Sequence, residues 1–363
     1  MTIQDIINKY NNSEYISLNE GLELYKTMPL AGLLCLANEI RRSLHPGTVV
    51  TWQIDRNVNI SNICFVHCKF CNFSRKYGSS DAYITTIEEY RKKINELFSL
   101  GGEQLLLQGG LNPAFGIDFY VNLFKTLKQE FPKLKLHALG PPEVAYLAKK
   151  EKKSFSQILE TLVEAGLDSL PGAGAEILSN RVRTELSKGK CSVEEWLDVM
   201  RAAHKLGLYT SATMMFGHIE TIEERLQHLI YLRDVQSEKP KNAPGFNAFI
   251  PWPVQLTNTR LQNENHFTVV SGSEYLRMLA ISRIMLPNIS NIQASWLTVG
   301  KNVAQLSLHG GANDLGSIMI EENVVSAAGA NYSLNAKEMK QLIIGAGFEP
   351  KQRNQKYQII EST

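Results

Sequence analysis

The stretch "NICFVHCKFCNFSRK" (62–76) places three of the chain's five cysteines, Cys64, Cys68 and Cys71, within eight positions. It follows an apolar, β-branched run, "VVTWQI" (49–54), that has the composition of a strand. Thiols spaced this closely in a loop after a strand either hold something or carry an oxidation hazard without purpose. Structural zinc uses four protein ligands, usually as two separated pairs. Here the second pair is missing: His67 abuts Cys68 and is poorly placed to chelate with it, while Cys35 and Cys191 sit in remote helical contexts as ordinary packed or cap-adjacent residues. A cubane iron–sulfur cluster takes four thiolates as a rule. Three would leave one iron open to a substrate or cofactor. The spacing favours the open cluster and leaves zinc as the alternative.

Outward from this loop, short apolar runs alternate with longer amphipathic ones. The further strand candidates are "QLLLQ" (104–108), "LKLHA" (134–138), "LDSL" (167–170), "LYTSATMM" (208–215), "FNAFI" (246–250), "NIQAS" (291–295) and "ANDLG" (312–316). Helical grammar separates them. "TIEEYRKKINELFSLGG" (86–102) has apolar residues three and four apart, early acids and a Gly-Gly stop. "SVEEWLDVMRAAHKLG" (192–207) opens on a Ser cap with Glu195 three residues on, and "TIEERLQHLIYLRDVQ" (221–236) repeats the pattern. Eight strands spaced by helices predict an α/β fold of parallel βα units, a (β/α)8 TIM-type barrel. An open doubly wound sheet is the rival, but no G-x-G-x-x-G follows the first strand. Residues 1–45 are expected to be a helical extension, 46–335 the barrel, and 336–363 a final helix with a polar tail.

Composition narrows the classes. With 363 residues, 44% hydrophobic and 20% charged, the chain is globular, and its net charge of +2 does not supply a nucleic-acid surface. The basic run "KKEKK" (149–153) has the character of a solvated helix end. No apolar run approaches the roughly 18 residues of a membrane span. The N-terminus lacks the basic and apolar regions of a secretory signal, and the odd cysteine count argues for a reducing setting, so a cytoplasmic location is expected.

The motif C-x3-C-x-aromatic-C, with Phe70 at the aromatic position, resembles the signature of the radical S-adenosylmethionine (SAM) superfamily. The resemblance implies a barrel of the radical SAM kind, a 4Fe–4S cluster on Cys64, Cys68 and Cys71, and SAM on the open iron. "GGEQ" (101–104) resembles the superfamily's glycine-rich motif, so the resemblance implies SAM contacts by Gly101, Gly102 and Glu103 and, beside the cysteines, by Phe70. It departs from that motif in having Gln104 for the frequent proline and in preceding its strand. The resemblance extends along the chain through "DRNVNISNICFVHCKFCNF" (55–73), "LQGGLNP" (107–113), "LHALGPPEV" (136–144), "LDSLPGAGAEIL" (167–178) and "TMMFGHIET" (213–221) to one subgroup, the futalosine-pathway menaquinone enzymes and deazaflavin synthases. Within it, "FIPWPVQLTNTRL" (249–261), "NIQASWLTVG" (291–300) and "GANDLGSIMIEENVVSAAG" (311–329) are most similar to the members that cyclise dehypoxanthine futalosine. Aminofutalosine synthases and deazaflavin synthases are the alternatives, and a zinc-stabilised binding module is the alternative outside enzymes.

The implied reaction is intramolecular: a 5′-deoxyadenosyl radical takes the ribose C4′ hydrogen, and the substrate radical attacks its own benzoate ring. Further SAM contacts are expected from Gln108, Ser169, Glu176 and Arg183. Barrel active sites lie at strand C-terminal ends, which nominates His137, Glu143, Asn313 and Asp314 for substrate, and His218 or Glu220 as the base for the late proton. Arg56 is expected to meet the substrate benzoate. "PWP" (251–253) is expected to be a rigid loop wall or to carry a packed Trp252. The expected partners are a small nucleoside-like molecule and a flavodoxin- or ferredoxin-type electron donor, with neither nucleic acid nor membrane.

Overall fold

A computed structural model describes residues 2–264, 269–330 and 332–360. Three helices, Ile3–Asn11, Leu18–Thr27 and Leu30–Leu44, come first. The third packs on the later helix Gly272–Met285 and is pinned by Arg41, which donates to the carbonyls of Gly47 and Val49. Cys35, expected to be packed, is exposed on this helix because the buried face carries Leu33, Leu36, Ala37 and Ile40 instead.

Among the described residues ten strands follow: β1 (Val49–Gln53), β2 (Asp55–Asn59), β3 (Gln104–Gln108), β4 (Lys135–Ala138), β5 (Ser169–Leu170), β6 (Tyr209–Phe216), β7 (Gly245–Pro253), β8 (Asn291–Ile292), β9 (Asp314–Ser317) and β10 (Glu349–Gln352). Strands β2 to β8 form one parallel sheet in sequence order, as right-handed βα units require. β1 sits in a second parallel sheet, ordered β10-β1-β9. A bridge between Gln293 and Asp314 joins the two sheets, the Ala294 amide donates to the Asp314 carbonyl, and β1 is followed directly by β2. Helices cover the outside, and the expected caps are present: Thr86, Ser192 and Thr221 each exchange bonds with the Glu three residues on. The run 149–153 ends the helix Pro141–Glu151 and lies mostly in solvent. Among the described residues no helix is long and apolar enough to cross a membrane.

Three differences from the expected elements have physical causes. The strand leading into the cysteine loop is β2, "DRNVN", not "VVTWQI". Its polar residues conceal it, because Asp55 and Asn57 face an internal cavity while Arg56 points away. The "PWP" segment continues β7 rather than forming a loop, with Pro251 and Pro253 paired in register to Met214 and Phe216. Beyond the helix Ala336–Gly345, the stretch expected to be a polar tail forms β10 and a turn bridged between Arg353 and Ile359, and its last three positions lie outside the described residues.

Candidate active site

A cavity of about 440 Å³ runs through the sheet interior. Cys64, Cys68 and Cys71 line its upper end, in the loop that follows β2. The loop is tied down by backbone bonds from Cys64 to Arg75, from Phe65 to Leu111 and from Cys71 to Cys68. Burial pushes the Cys68 thiol up to about 12, and the Lys190 ammonium is the largest influence opposing it. Among the described residues no three His, Cys, Asp or Glu side chains converge on an ion-sized point. The three thiols line the same end of the cavity, and among the described residues no His, Asp or Glu side chain joins them as a fourth ligand. His67 does not line the cavity, and Cys191 is buried against the Arg183 guanidinium.

Four predicted residues line the cavity near the thiols: Phe70, Gln108, Glu143 and Glu176. Lys190, which sequence reasoning missed, ion-pairs with Glu176 at 2.6 Å and lies over the Phe70 ring at 5.4 Å. Burial alone would lower the Lys190 pKa, but the neighbouring Cys68 and Glu176 raise it. Glu176 holds a left-handed backbone, with φ of 42°, an uncommon conformation for a side-chain-bearing residue. Burial pushes the Glu143 carboxyl up to about 7. Arg183 does not reach the cavity; it is buried and donates to the carbonyls of Gly174, Ala175 and Cys191, so it shapes the loop that carries Glu176.

The glycine motif is elsewhere than expected. Gly101, Gly102 and Glu103 lie before β3, at the end remote from the cysteines, and none lines the cavity. They terminate the helix Ile87–Ser99, with Gly101 and Gly102 donating to the Phe98 and Leu97 carbonyls. The glycines that meet the cysteine loop are Gly109 and Gly110, just past β3. Gly110 donates to the Ser61 carbonyl at 2.7 Å, and a Cβ there would lie 2.2 Å from the Ile63 carbonyl oxygen. A Gly-Gly directly after a strand, as in "LQGG", is the signal that was available.

The other candidates separate clearly. His137 and Ser169 line the cavity lower down and hydrogen-bond to each other. Burial, with Arg353 nearby, lowers the His137 pKa to about 3, so the imidazole is neutral. Arg56 pairs outward with Glu96 and Glu321, because alternation along β2 turns it from the cavity. Asn313 is consumed by Arg283, Asn291 and the Ile292 amide. Asp314 is buried under Arg353, which lines the cavity in its place. His218 and Glu220 form a closed knot whose side chains are sealed from solvent, and neither lines the cavity. Glu220 accepts from the Gly217 and His218 amides and from Arg225, so these two residues fold the β6 exit turn rather than move a proton.

That knot predicts an acid response. Burial would raise the Glu220 carboxyl, but His218, Arg225 and the Gly217 amide outweigh it and bring it from 4.5 to about 2. A depressed carboxyl stabilises above its unfolded value and loses that contribution as pH falls through the window from 4.5 to about 2. Glu220→Gln should therefore cost about 3 kcal/mol at neutral pH and little at the acid end. Denaturant melts at several pH values check this, and equal losses at every pH would refute it.

The remaining walls are mixed. Ile250, Trp252, Trp296, Met319 and Val324 supply apolar surface. The stretch 321–328 closes one side: Glu321 is clamped by Arg56 and Lys93, and the Ala327 carbonyl accepts from Asn72 in the cysteine loop. Gln53, Asp55, Gln104, Tyr209, Arg353, Gln355 and Tyr357 form a polar lower end that sequence reasoning did not anticipate.

Comparison with known proteins agrees with this geometry. Residues 58–232 match the radical SAM superfamily model, and residues 243–363 match the CofH/MqnC C-terminal region. The cyclic dehypoxanthine futalosine synthase of Halalkalibacterium halodurans is 41% identical over 362 residues, covering 100% of this chain and 96% of that one. Its namesake in Streptomyces coelicolor is 42% identical, covering 98% and 88%. The 5-amino-6-(D-ribitylamino)uracil–L-tyrosine 4-hydroxyphenyl transferase of Archaeoglobus fulgidus is 37% identical, covering 90% and 93%. Among solved structures, methylornithine synthase superposes with a TM-score of 0.71 at 18% identity, over 95% of this chain and 97% of that one. The hydrogenase maturase HydG of Carboxydothermus hydrogenoformans gives 0.72 at 15%, over 98% and 80%. These two share the fold. With its three-thiol loop, its parallel sheet and relatives matching along its whole length, the chain belongs to the radical SAM superfamily, in the group that carries the CofH/MqnC C-terminal region.

Proposed function

We propose that this chain cyclises dehypoxanthine futalosine to cyclic dehypoxanthine futalosine in menaquinone biosynthesis. The observation that carries the reading is full-length likeness to two relatives of that name, at 41% and 42% identity. A cavity of about 440 Å³ with the three thiols at one end supports it. The superfamily's cofactors are a 4Fe–4S cluster and SAM. When bound they supply a one-electron cleavage that delivers a hydrogen-abstracting carbon radical.

The chain's own residues do the rest. Cys64, Cys68 and Cys71 would hold the cluster. Phe70, Gln108, Glu176 and Lys190 line the adjoining cavity and are assigned to SAM, with Gly109 and Gly110 allowing close backbone approach. Ile250, Trp252 and Trp296 exclude water and seat the aromatic ring. The late proton is assigned to Glu143, a cavity carboxyl that burial brings into the physiological titration range. A flavodoxin- or ferredoxin-type donor and a cytoplasmic setting, which keeps the thiols reduced, complete the proposal.

The test is turnover by anaerobically reconstituted, reduced protein with SAM. Dehypoxanthine futalosine should give a cyclised product with 5′-deoxyadenosine. The second reading comes from the archaeal relatives, named as 4-hydroxyphenyl transferases acting on L-tyrosine and 5-amino-6-(D-ribitylamino)uracil. Deoxyadenosine formed only with tyrosine and 5-amino-6-(D-ribitylamino)uracil would replace the first reading with the second.

A further inference from the structure

On that reading, we propose that the C-terminal segment 353–357 is the floor of the cavity and that Gln355, with Ser169 and His137, binds the hydroxyl-bearing ribose of the substrate. Register sets the depth. Trp52 pairs with Gln352, so Arg353 lies level with Gln53, just below the start of β2. Asp55 pairs with Gln104 and Ser169 with Tyr209, each of these partners opening its strand. The cysteines follow the other end of β2, so the floor and the thiols close opposite ends of one cavity.

The chemistry of the floor selects the ligand. Arg353 spends Nε and Nη2 on Asp314, at 2.6 and 3.0 Å, and Nη1 on Gln53 at 2.7 Å. Its face stacks on Tyr357, with the guanidinium carbon 3.7 Å from the ring centroid. The Arg353 charge is thus matched within the protein, and an anionic group would have to displace Asp314. Apart from the Asp55 carboxyl, which accepts from Gln53 and Gln104, what remains is neutral hydrogen-bonding capacity. Gln355 Nε2 donates to Ser169 Oγ, which also pairs with His137 Nδ1. Among the described residues Gln355 Oε1 and His137 Nε2 have no protein partner. These two groups belong to residues that flank Ser169 and line the cavity, one accepting and the other donating or accepting by tautomer. Vicinal hydroxyls, which both donate and accept, complement such a pair, and a ribose anchored by them can keep its C4′ hydrogen turned up toward the cofactor end. A site built to bond a hydroxyl rejects an analogue lacking it, because its own polar groups are then left unpaired.

The experiment compares wild type, Gln355→Ala and Gln355→Asn, using dehypoxanthine futalosine and an analogue lacking one ribose hydroxyl. In Gln355→Ala the substrate KM should rise at least tenfold, with deoxyadenosine formed in excess of product. Iron content, melting temperature and substrate-free SAM cleavage should match wild type. The wild type should discriminate against the analogue at least tenfold, and Gln355→Ala should lose most of that discrimination, with Gln355→Asn between. Unchanged KM, or discrimination equal in wild type and variant, overturns the inference. Wild-type failure on dehypoxanthine futalosine removes the functional reading alone, and the same comparison then runs with 5-amino-6-(D-ribitylamino)uracil and tyrosine, whose ribityl chain carries the same chemistry. A wild type that uses neither overturns both.

Discussion

Cys68→Ala protein, reconstituted anaerobically, should fall from about four irons per chain to less than one. Its SAM cleavage should drop at least a thousandfold, about 4 kcal/mol in barrier. The substitution is structurally mild. The Cys68 side chain packs with Val66 and Leu111 in a small satellite cluster, and its carbonyl, which Ala retains, accepts the Cys71 amide. Losing one sulfur there leaves the backbone of the loop with every bond it had. The fold should survive, so the far-ultraviolet circular dichroism of the metal-free proteins should coincide. Cys35→Ala is the control: that thiol is exposed on the third helix and should leave iron and turnover unchanged. Full iron loading with retained cleavage in Cys68→Ala would be irreconcilable with a three-thiolate site.

The second large effect is expected at Gly110. An alanine Cβ would sit 2.2 Å from the Ile63 carbonyl oxygen and 2.9 Å from Cys64 Cβ. Neither the carbonyl nor the cysteine backbone can swing aside, since Gly110 is also bonded to the Ser61 carbonyl at 2.7 Å. Gly110→Ala should therefore cost about 3 kcal/mol in stability. It should also misplace Cys64, so that iron uptake falls even at temperatures where the chain is folded. Gly101→Ala is the matched contrast. That residue has φ of 82° but nothing within 4 Å of a new Cβ. It should lose only about 1–2 kcal/mol, from the left-handed backbone, and take up iron normally. Equal iron contents in the two variants would return the glycine motif to residues 101–102.

That contrast shows where sequence reasoning succeeds. The cysteine spacing was legible because ligand chemistry constrains residue type and separation together. The helices 86–102, 192–207 and 221–236 were legible because Thr86, Ser192 and Thr221 announce their caps with a Glu three residues on. β2 was hidden because its cavity-facing residues are polar, so neither alternation nor apolar content marks it. β10, "EPKQ", was hidden because an edge strand tolerates proline and charge when only one side pairs. Arg56, Asn313, Asp314, His218 and Glu220 show another limit. Strand ends carry both the groups that face a ligand and the groups that hold the turns, and sequence position does not tell them apart. Arg353, Gln355 and Tyr357 lie some 280 positions beyond the cysteines, in a stretch with no motif, so only pairing of β10 with β1 brings them into the site.

That pairing bears on how the molecule is made. Val49 pairs in register with Glu349, three hundred positions later, and the Glu349 amide donates to the Thr48 carbonyl. During synthesis from the N-terminus, β2 to β8 emerge and can pair with neighbours in sequence order while β1 still lacks β9 and β10. The thiols and the glycines against them can thus be in place well before Arg353, Gln355 and Tyr357 exist. Chain interrupted near residue 345 would carry the cysteine loop at one end of the cavity and lack the polar groups of the other. The last strand is what delivers those groups, so the two ends of one site are made at opposite ends of synthesis.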